Sequence, residues 1–118
     1  MKKIIHVDNS GFFQKFMRAF LQREGFEVES FDNPQDADMV IGSGAADMVI
    51  MGLAFADISG PEFIERIREF YGGPIIVISS SLDNDKEKAL VSLGARAAIN
   101  KSGPWQEALK PHLSALKA

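Results

Sequence analysis

The 118-residue sequence contains no cysteine. That absence removes disulfides, thiolate nucleophiles and zinc–thiolate sites together, and it fits a reducing, cytoplasmic setting. Histidine is scarce as well: His6 and His112 are too few for a histidine-rich metal centre. There is no excess of positive charge. Thirteen Lys and Arg stand against sixteen Asp and Glu, a net charge of −3, with no basic stripe of the kind a phosphate backbone requires. Nucleic acid is therefore not an expected partner. The longest mainly apolar run, Met48 to Ala56, is far too short to span a bilayer, so no membrane partner is expected either. Met1-Lys2-Lys3 has the charge of a signal n-region, but the apolar run behind it stops at Asp8. Neither GxxxxGK[ST] nor GxGxxG occurs, which excludes the P-loop and the dinucleotide fingerprint. With no repeats, low-complexity tracts or linkers, residues 1–118 read as one domain.

What the sequence does have is an ordinary globular balance, 46% hydrophobic and 25% charged. A chain of this size buries about two-thirds of its unfolded surface, enough for a core without staples. Short apolar runs alternate with segments of helical period, the pattern of repeated βα units. Ile4–Val7 is the first run. Phe26–Phe31 alternates apolar with polar, as an edge strand should. Met48–Met51 and Ile75–Ile78 are continuous, as central parallel strands covered on both faces should be, and Ala97–Ile99 forms a weaker fifth.

Between them, Phe13, Phe16, Met17, Phe20 and Leu21 predict a first helix that Gly25 can close. Asn33-Pro34 starts a second helix. Ser59-Gly60-Pro61-Glu62 is a capping box before Phe63, Ile64, Ile67 and Phe70. Asp83 or Asn84 caps a fourth helix ending at Gly94. Trp105, Ala108, Leu109, His112, Leu113 and Leu116 stripe a fifth, with Pro111 on its outward side expected to kink it. Five such units predict an α/β, doubly wound, flavodoxin-like fold: a five-stranded parallel sheet, order 2-1-3-4-5, with helices on both faces. In such sheets the working residues stand at the carboxyl ends of the strands.

Those ends are Asp8-Asn9-Ser10, Gly52-Leu53-Ala54, Ser79-Ser80-Ser81 and Asn100-Lys101-Ser102. The segments IIHVDNS, DMVIMGLAFADISG, PIIVISSS and GARAAINKS, in this order and spacing, resemble the receiver domain of two-component response regulators, of the chemotaxis-regulator type. The resemblance covers essentially the whole chain. It implies a signalling domain, not an enzyme, and several of its functional positions are changed here. The adjacent acids that hold Mg²⁺ after strand 1 are represented by Asp8 and Asn9. The phosphate-accepting aspartate at the end of strand 3 is represented by Gly52, which has no nucleophile. The hydroxyl after strand 4 is Ser79, the strand 5 lysine is Lys101, the proline after it is Ser102, and the switch aromatic is Ala98.

On this reading one side-chain carboxylate, Asp8, remains where three would gather, so any Mg²⁺ site is expected to be weak or absent, and no other cofactor is expected. Lys101 has lost its usual partner; it should turn to Asp8, or water should fill the space beside Gly52, because an unpaired buried lysine costs several kcal/mol. Rescue of the nucleophile by Asp57 or Asp47 is disfavoured by their distance along the chain from the strand end. The domain is expected to act through a protein partner: a histidine kinase, an output domain or another signalling protein. The family's readout face, on the fourth helix, fifth strand and fifth helix, would carry Lys86, Lys88, Arg96, Glu107 and Lys110 with Trp105 nearby, and dimerisation through it is open.

Other features have simpler readings. His6 lies in a buried run and reads as a hydrogen-bonded core histidine, and His112 as packing on the last helix. Phe12 and Phe13 are adjacent and cannot both face inward, which leaves one for a partner. The three serines satisfy backbone where a strand ends. Two alternatives remain beside the unphosphorylated interaction module: a receiver switched by another phosphosite or by an acidic ligand held by Lys101 and Ser79, and a flavodoxin-like FMN carrier or enzyme.

Overall fold

The computed structural model describes residues 1–118, in the order β1 (Lys3–Val7), α1 (Gly11–Arg23), β2 (Glu27–Phe31), α2 (Pro34–Gly42), β3 (Met48–Met51), α3 (Gly60–Arg68), β4 (Ile75–Ser79), α4 (Asn84–Leu93), β5 (Ala97–Asn100) and α5 (Trp105–Lys117). All strand pairings are parallel, and the sheet order is β2-β1-β3-β4-β5. The helix starts follow the local chemistry. The side chains of Ser10, Asn33, Ser59 and Asp83 each accept a hydrogen bond from the backbone N–H three residues on, satisfying a donor that has no intrahelical partner. Gly94 ends α4 at φ 121°, a conformation that a side chain would strain. Pro111 lies exposed inside α5, which continues through it to Lys117.

Alternation along the strands sends side chains into two separate cores. Ile4, Met48, Ile50, Ile76 and Ile78 pack under α1 and α5 with Phe13, Met17, Phe20, Leu21, Leu109 and Leu113. Ile5, Val7, Val49, Met51, Ile75 and Val77 pack under α2, α3 and α4 with Ile41, Phe63, Ile64, Ile67 and Leu90. The central strands β3 and β4 are buried along their whole length, which is why they read as unbroken apolar runs.

Two aromatic residues depart from the expected stripes. Phe16 is half exposed and Phe70 nearly so. The arc of α1 that meets the sheet runs through Phe13, Met17, Phe20 and Leu21. At about 100° per residue, Phe16 lies about 40° beyond the Phe20 edge of that arc. Phe13 is buried and Phe12 is not, so the adjacent pair splits as steric reasoning requires.

The ladder continues past the strand ends. Asp8 N–H donates to Phe31 O at 3.0 Å, Gly52 N–H to Val7 O at 2.9 Å and Lys101 N–H to Ser79 O at 2.9 Å. These bonds carry the pairing to the ends of all five strands, along one rim. No helix is long and apolar enough to cross a membrane.

Candidate functional site

Asp8, Asn9, Gly52, Ser79 and Lys101, far apart in sequence, line one cavity of about 140 Å³ at the carboxyl end of the sheet, together with residues of the loops after β3 and β4. Asp8 is its centre of charge and is only 2% exposed. Its Oδ1 accepts the Ser10 N–H at 2.8 Å, closing a turn of the kind aspartate favours, and Ser10 in turn caps α1. Its Oδ2 lies 2.9 Å from Lys101 Nζ, a charge-assisted bond between the ends of β1 and β5. Gln14 clamps the same corner from α1, donating to Asp8 O and Phe31 O. Of the two outcomes expected for Lys101, the ion pair with Asp8 is the one present.

Gly52 makes that pairing sterically easy. A Cβ on it would lie 3.3 Å from Asp8 Oδ2, closer than such carbons normally approach an oxygen. The Asp8 carboxylate thus crowds the space into which a side chain at 52 would emerge. Lys101 Nζ also sits 4.2 Å from the centre of the Phe13 ring, so the cation is held between a carboxylate and an aromatic face.

The opposite wall is built of hydroxyls. Ser79 Oγ accepts from the Ser81 N–H and shares a hydrogen bond with Ser81 Oγ, both at 3.2 Å. The serines are thereby used within the β4–α4 turn. Lys86 donates to Ser81 O at 3.0 Å from α4. Asn9 is exposed at the mouth. Asp57 is exposed in the loop after β3 and does not line the cavity, and Asp47 is bonded to Lys3 N–H at the far end of the sheet. Neither acid is brought to the site.

Asp8 is the one side-chain carboxylate that the cavity offers a cation. Both oxygens of the single carboxylate are engaged, one by an amide and one by an ammonium. No three His, Asp or Glu side chains cluster anywhere in the chain.

Beneath the pair lies His6, fully buried, its ring edge-on to Phe13 at 5.9 Å between centroids. The expectation of a hydrogen-bonded core histidine is half met: the residue is core, but neither ring nitrogen has a partner. Burial pushes its pKa down to about 4. Asp8 opposes the drop, and Lys101 and Arg18 add to it, so the imidazole is neutral at pH 7. His112, on α5, is half-buried and also lowered, by burial first and then by Arg96.

On the expected readout face, Lys86, Lys88, Arg96, Glu107 and Lys110 are all exposed, and Lys110 pairs with Glu107 at 3.3 Å. Ala98 is half-buried on the α2–α4 side of β5. Trp105 does not join that face. Its ring meets Phe13 at 5.1 Å and Phe20 at 5.5 Å, turned towards α1. The sequence offered Trp105 both as part of the apolar stripe of α5 and as a neighbour of the readout face; it takes the stripe position, and the aromatics of α1 that it meets are some ninety residues away in the chain.

The family model of the response regulator receiver domain matches residues 4–111. Among curated relatives, the chain is 27% identical over 100 residues to the regulatory protein VanRc of Enterococcus gallinarum, covering 85% of this chain and 43% of that protein. It is 28% identical over 107 residues to the chemotaxis protein CheY of Halobacterium salinarum, covering 90% and 88%. The chain thus spans less than half the length of the first of these and most of the second. Among solved structures, a two-component response regulator from Clostridium difficile superimposes with a TM-score of 0.90 at 19% identity, over 99% of this chain and 96% of that one. The BeF3-activated N-terminal receiver domain of RstA from Klebsiella pneumoniae gives 0.90 at 20% identity, over 99% and 100%. These two likenesses show the shared fold.

Proposed function

The chain belongs to the response regulator receiver domain family, the receiver of two-component signalling, and within it we propose a phosphate-blind member that works by binding other proteins. The observation that carries this reading is the pair of Gly52 and Asp8. The strand end that would present a nucleophile has no side chain, and the one carboxylate left beside it is tied to Lys101. Acyl-phosphate formation needs an attacking oxygen free to reach the donor, and none is placed to do so. An incoming phosphate or acidic ligand would have to displace Asp8 from Lys101, and this argues against the anion-switched alternative. The family match favours a receiver over an FMN carrier. A domain with no ligand of differential affinity for two states has nothing to shift its population, so it presents one constant surface. Its partners are a histidine kinase, an output domain or another signalling protein.

The test is intact-mass analysis after incubation with acetyl phosphate and Mg²⁺, paired with an amide NMR titration using Mg²⁺ and then beryllium fluoride. The mass is expected to be unchanged, and the signals of Asp8, Ser79 and Lys101 to stay in place. A stable added phosphoryl group, or saturating shifts at those residues, overturns the proposal.

A further inference from the structure

Helix α4 carries an apolar groove on the side that faces the start of α3, away from β5 and α5. Leu53, Pro61, Ala89, Leu90 and Leu93 wall it, so its surface is aliphatic and holds no aromatic ring. Its volume of about 370 Å³ is at the small end of the range for pockets that take low-molecular-weight ligands, about 300–1,000 Å³. Two small residues leave it open. Gly60 lets Leu53 lie across the start of α3: a Cβ there would come 2.9 Å from Leu53 Cα, and the Gly60 N–H donates to Leu53 O at 3.3 Å. Ala89 shares one stripe of α4 with Lys86 and Leu93, and a longer side chain at that position would fill the groove.

The one charged residue in the lining is Lys86. It is in no ion pair. Its ammonium donates to Ser81 O at 3.0 Å, and its other N–H groups have no protein partner. Asp85 and Glu87 flank it in the chain, yet no Asp or Glu lines the groove. An aliphatic trough with a single free cation at its rim is complementary to a molecule with an apolar body and one anionic end.

We propose that the α3–α4 groove binds a medium-chain aliphatic monocarboxylate, with its carboxylate on Lys86 and its chain along Leu53, Leu90 and Leu93. The chain gains by leaving water and the head by a charge-assisted bond. This goes beyond the reading of the domain as an interaction module. Leu53 and Ser81 line both the groove and the cavity beside Asp8, so the ligand would lie against the two loops that wall that cavity. Occupancy changes the surface a partner meets and needs no second conformation of the domain.

The probe is octanoate, kept below micelle formation and followed by amide NMR. Octan-1-ol and octylamine keep the chain and change the head; hexanoate keeps the head and shortens the chain. Octanoate is expected to shift the amides of Leu53, Ser81 and Lys86–Leu93 saturably. It should bind about tenfold more tightly than hexanoate, the worth of two buried methylenes. Octan-1-ol should bind about tenfold more weakly than octanoate, and octylamine more weakly still. Lys86→Met should bring octanoate down to the level of octan-1-ol, and Ala89→Phe should abolish the binding of both. Lys86 and Ala89 are exposed, so both variants should fold, and unchanged amide signals away from α4 check that they do. The comparison of head groups on the unaltered protein is decisive without them. A short peptide ending in a free leucine carboxylate tests a protein terminus as the source of the same chemistry. No saturable shift with octanoate, equal binding of octanoate and octylamine, shifts centred on Phe12 and Phe16, or tighter binding of the peptide than of octanoate overturns the proposal. The titration contains no phosphodonor, so phosphorylation found in the preceding test would sink that reading and leave this result standing.

Discussion

The two helical layers bury cores of equal size, fourteen residues each, and differ in kind. The layer under α2, α3 and α4 is aliphatic, with Phe63 at its centre and its charged groups, such as the Arg66–Asp38 pair at 2.7 Å, near the surface. The layer under α1 and α5 is a chain of aromatics: His6 against Phe13, Phe13 against Trp105, Trp105 against Phe20. An ion pair lies over its upper end. The first layer is mainly apolar packing, with Tyr71 Oη donating to Pro74 O at its edge. The other gives up part of that packing energy to hold polar groups where they can be reached from the rim. The buried histidine and the lysine seated on Phe13 thus lie on one side of the sheet, and changes to the two sides should fail in different ways.

The largest effect belongs to the aliphatic layer. Phe63→Ala removes a fully buried ring and leaves a cavity, and should lower unfolding free energy by about 3–5 kcal/mol in a urea titration. The aromatic layer should instead show itself through pH. The unfolded chain binds a proton at His6 with the ordinary pKa of 6.5, while the folded chain resists down to about 4. Its contribution is thus fully present above pH 6.5 and is lost as pH falls to about 4, a change of about 3 kcal/mol. Comparing the pH profile of unfolding with that of His6→Leu isolates it; a parallel pair of profiles would mean that folding does not change the proton affinity of His6. The smallest of the three is Lys101→Met. It leaves Asp8 buried without a counter-charge and should cost about 2 kcal/mol, below the usual range for a buried pair because the lysine side chain is 25% exposed. Equal stability of this variant and the parent in thermal melts would mean that the pair adds nothing.

The fold was legible because its strongest signals are local. Ser59 capping to Glu62, Pro34 at a helix start and the unbroken runs of β3 and β4 each state an element within a few residues. The strand-end residues were legible for a second reason: in a parallel sheet every strand delivers its last residue to the same rim, so listing those residues lists the cavity. What could not be read were properties set by distant neighbours. Phe16 and Phe20 are about 40° apart around α1, and that the buried arc stops between them is set by what packs there, with Trp105 of α5 against Phe20. The lack of any partner for His6 is likewise a property of the atoms around it, and Trp105 faces α1 because Phe13 and Phe20 are there to meet it.

The bond between Asp8 and Lys101 joins residues 93 positions apart and links β1 to β5, which are not neighbours in the sheet. Two strands must be in place between them before the carboxylate and the ammonium can meet, so the chain closes its longest loop only after most of the sheet exists. On that order of events the contact is expected to form on the native side of the folding barrier. It does little to hasten assembly and acts as a clasp, and its loss is felt as faster unfolding at an unchanged folding rate.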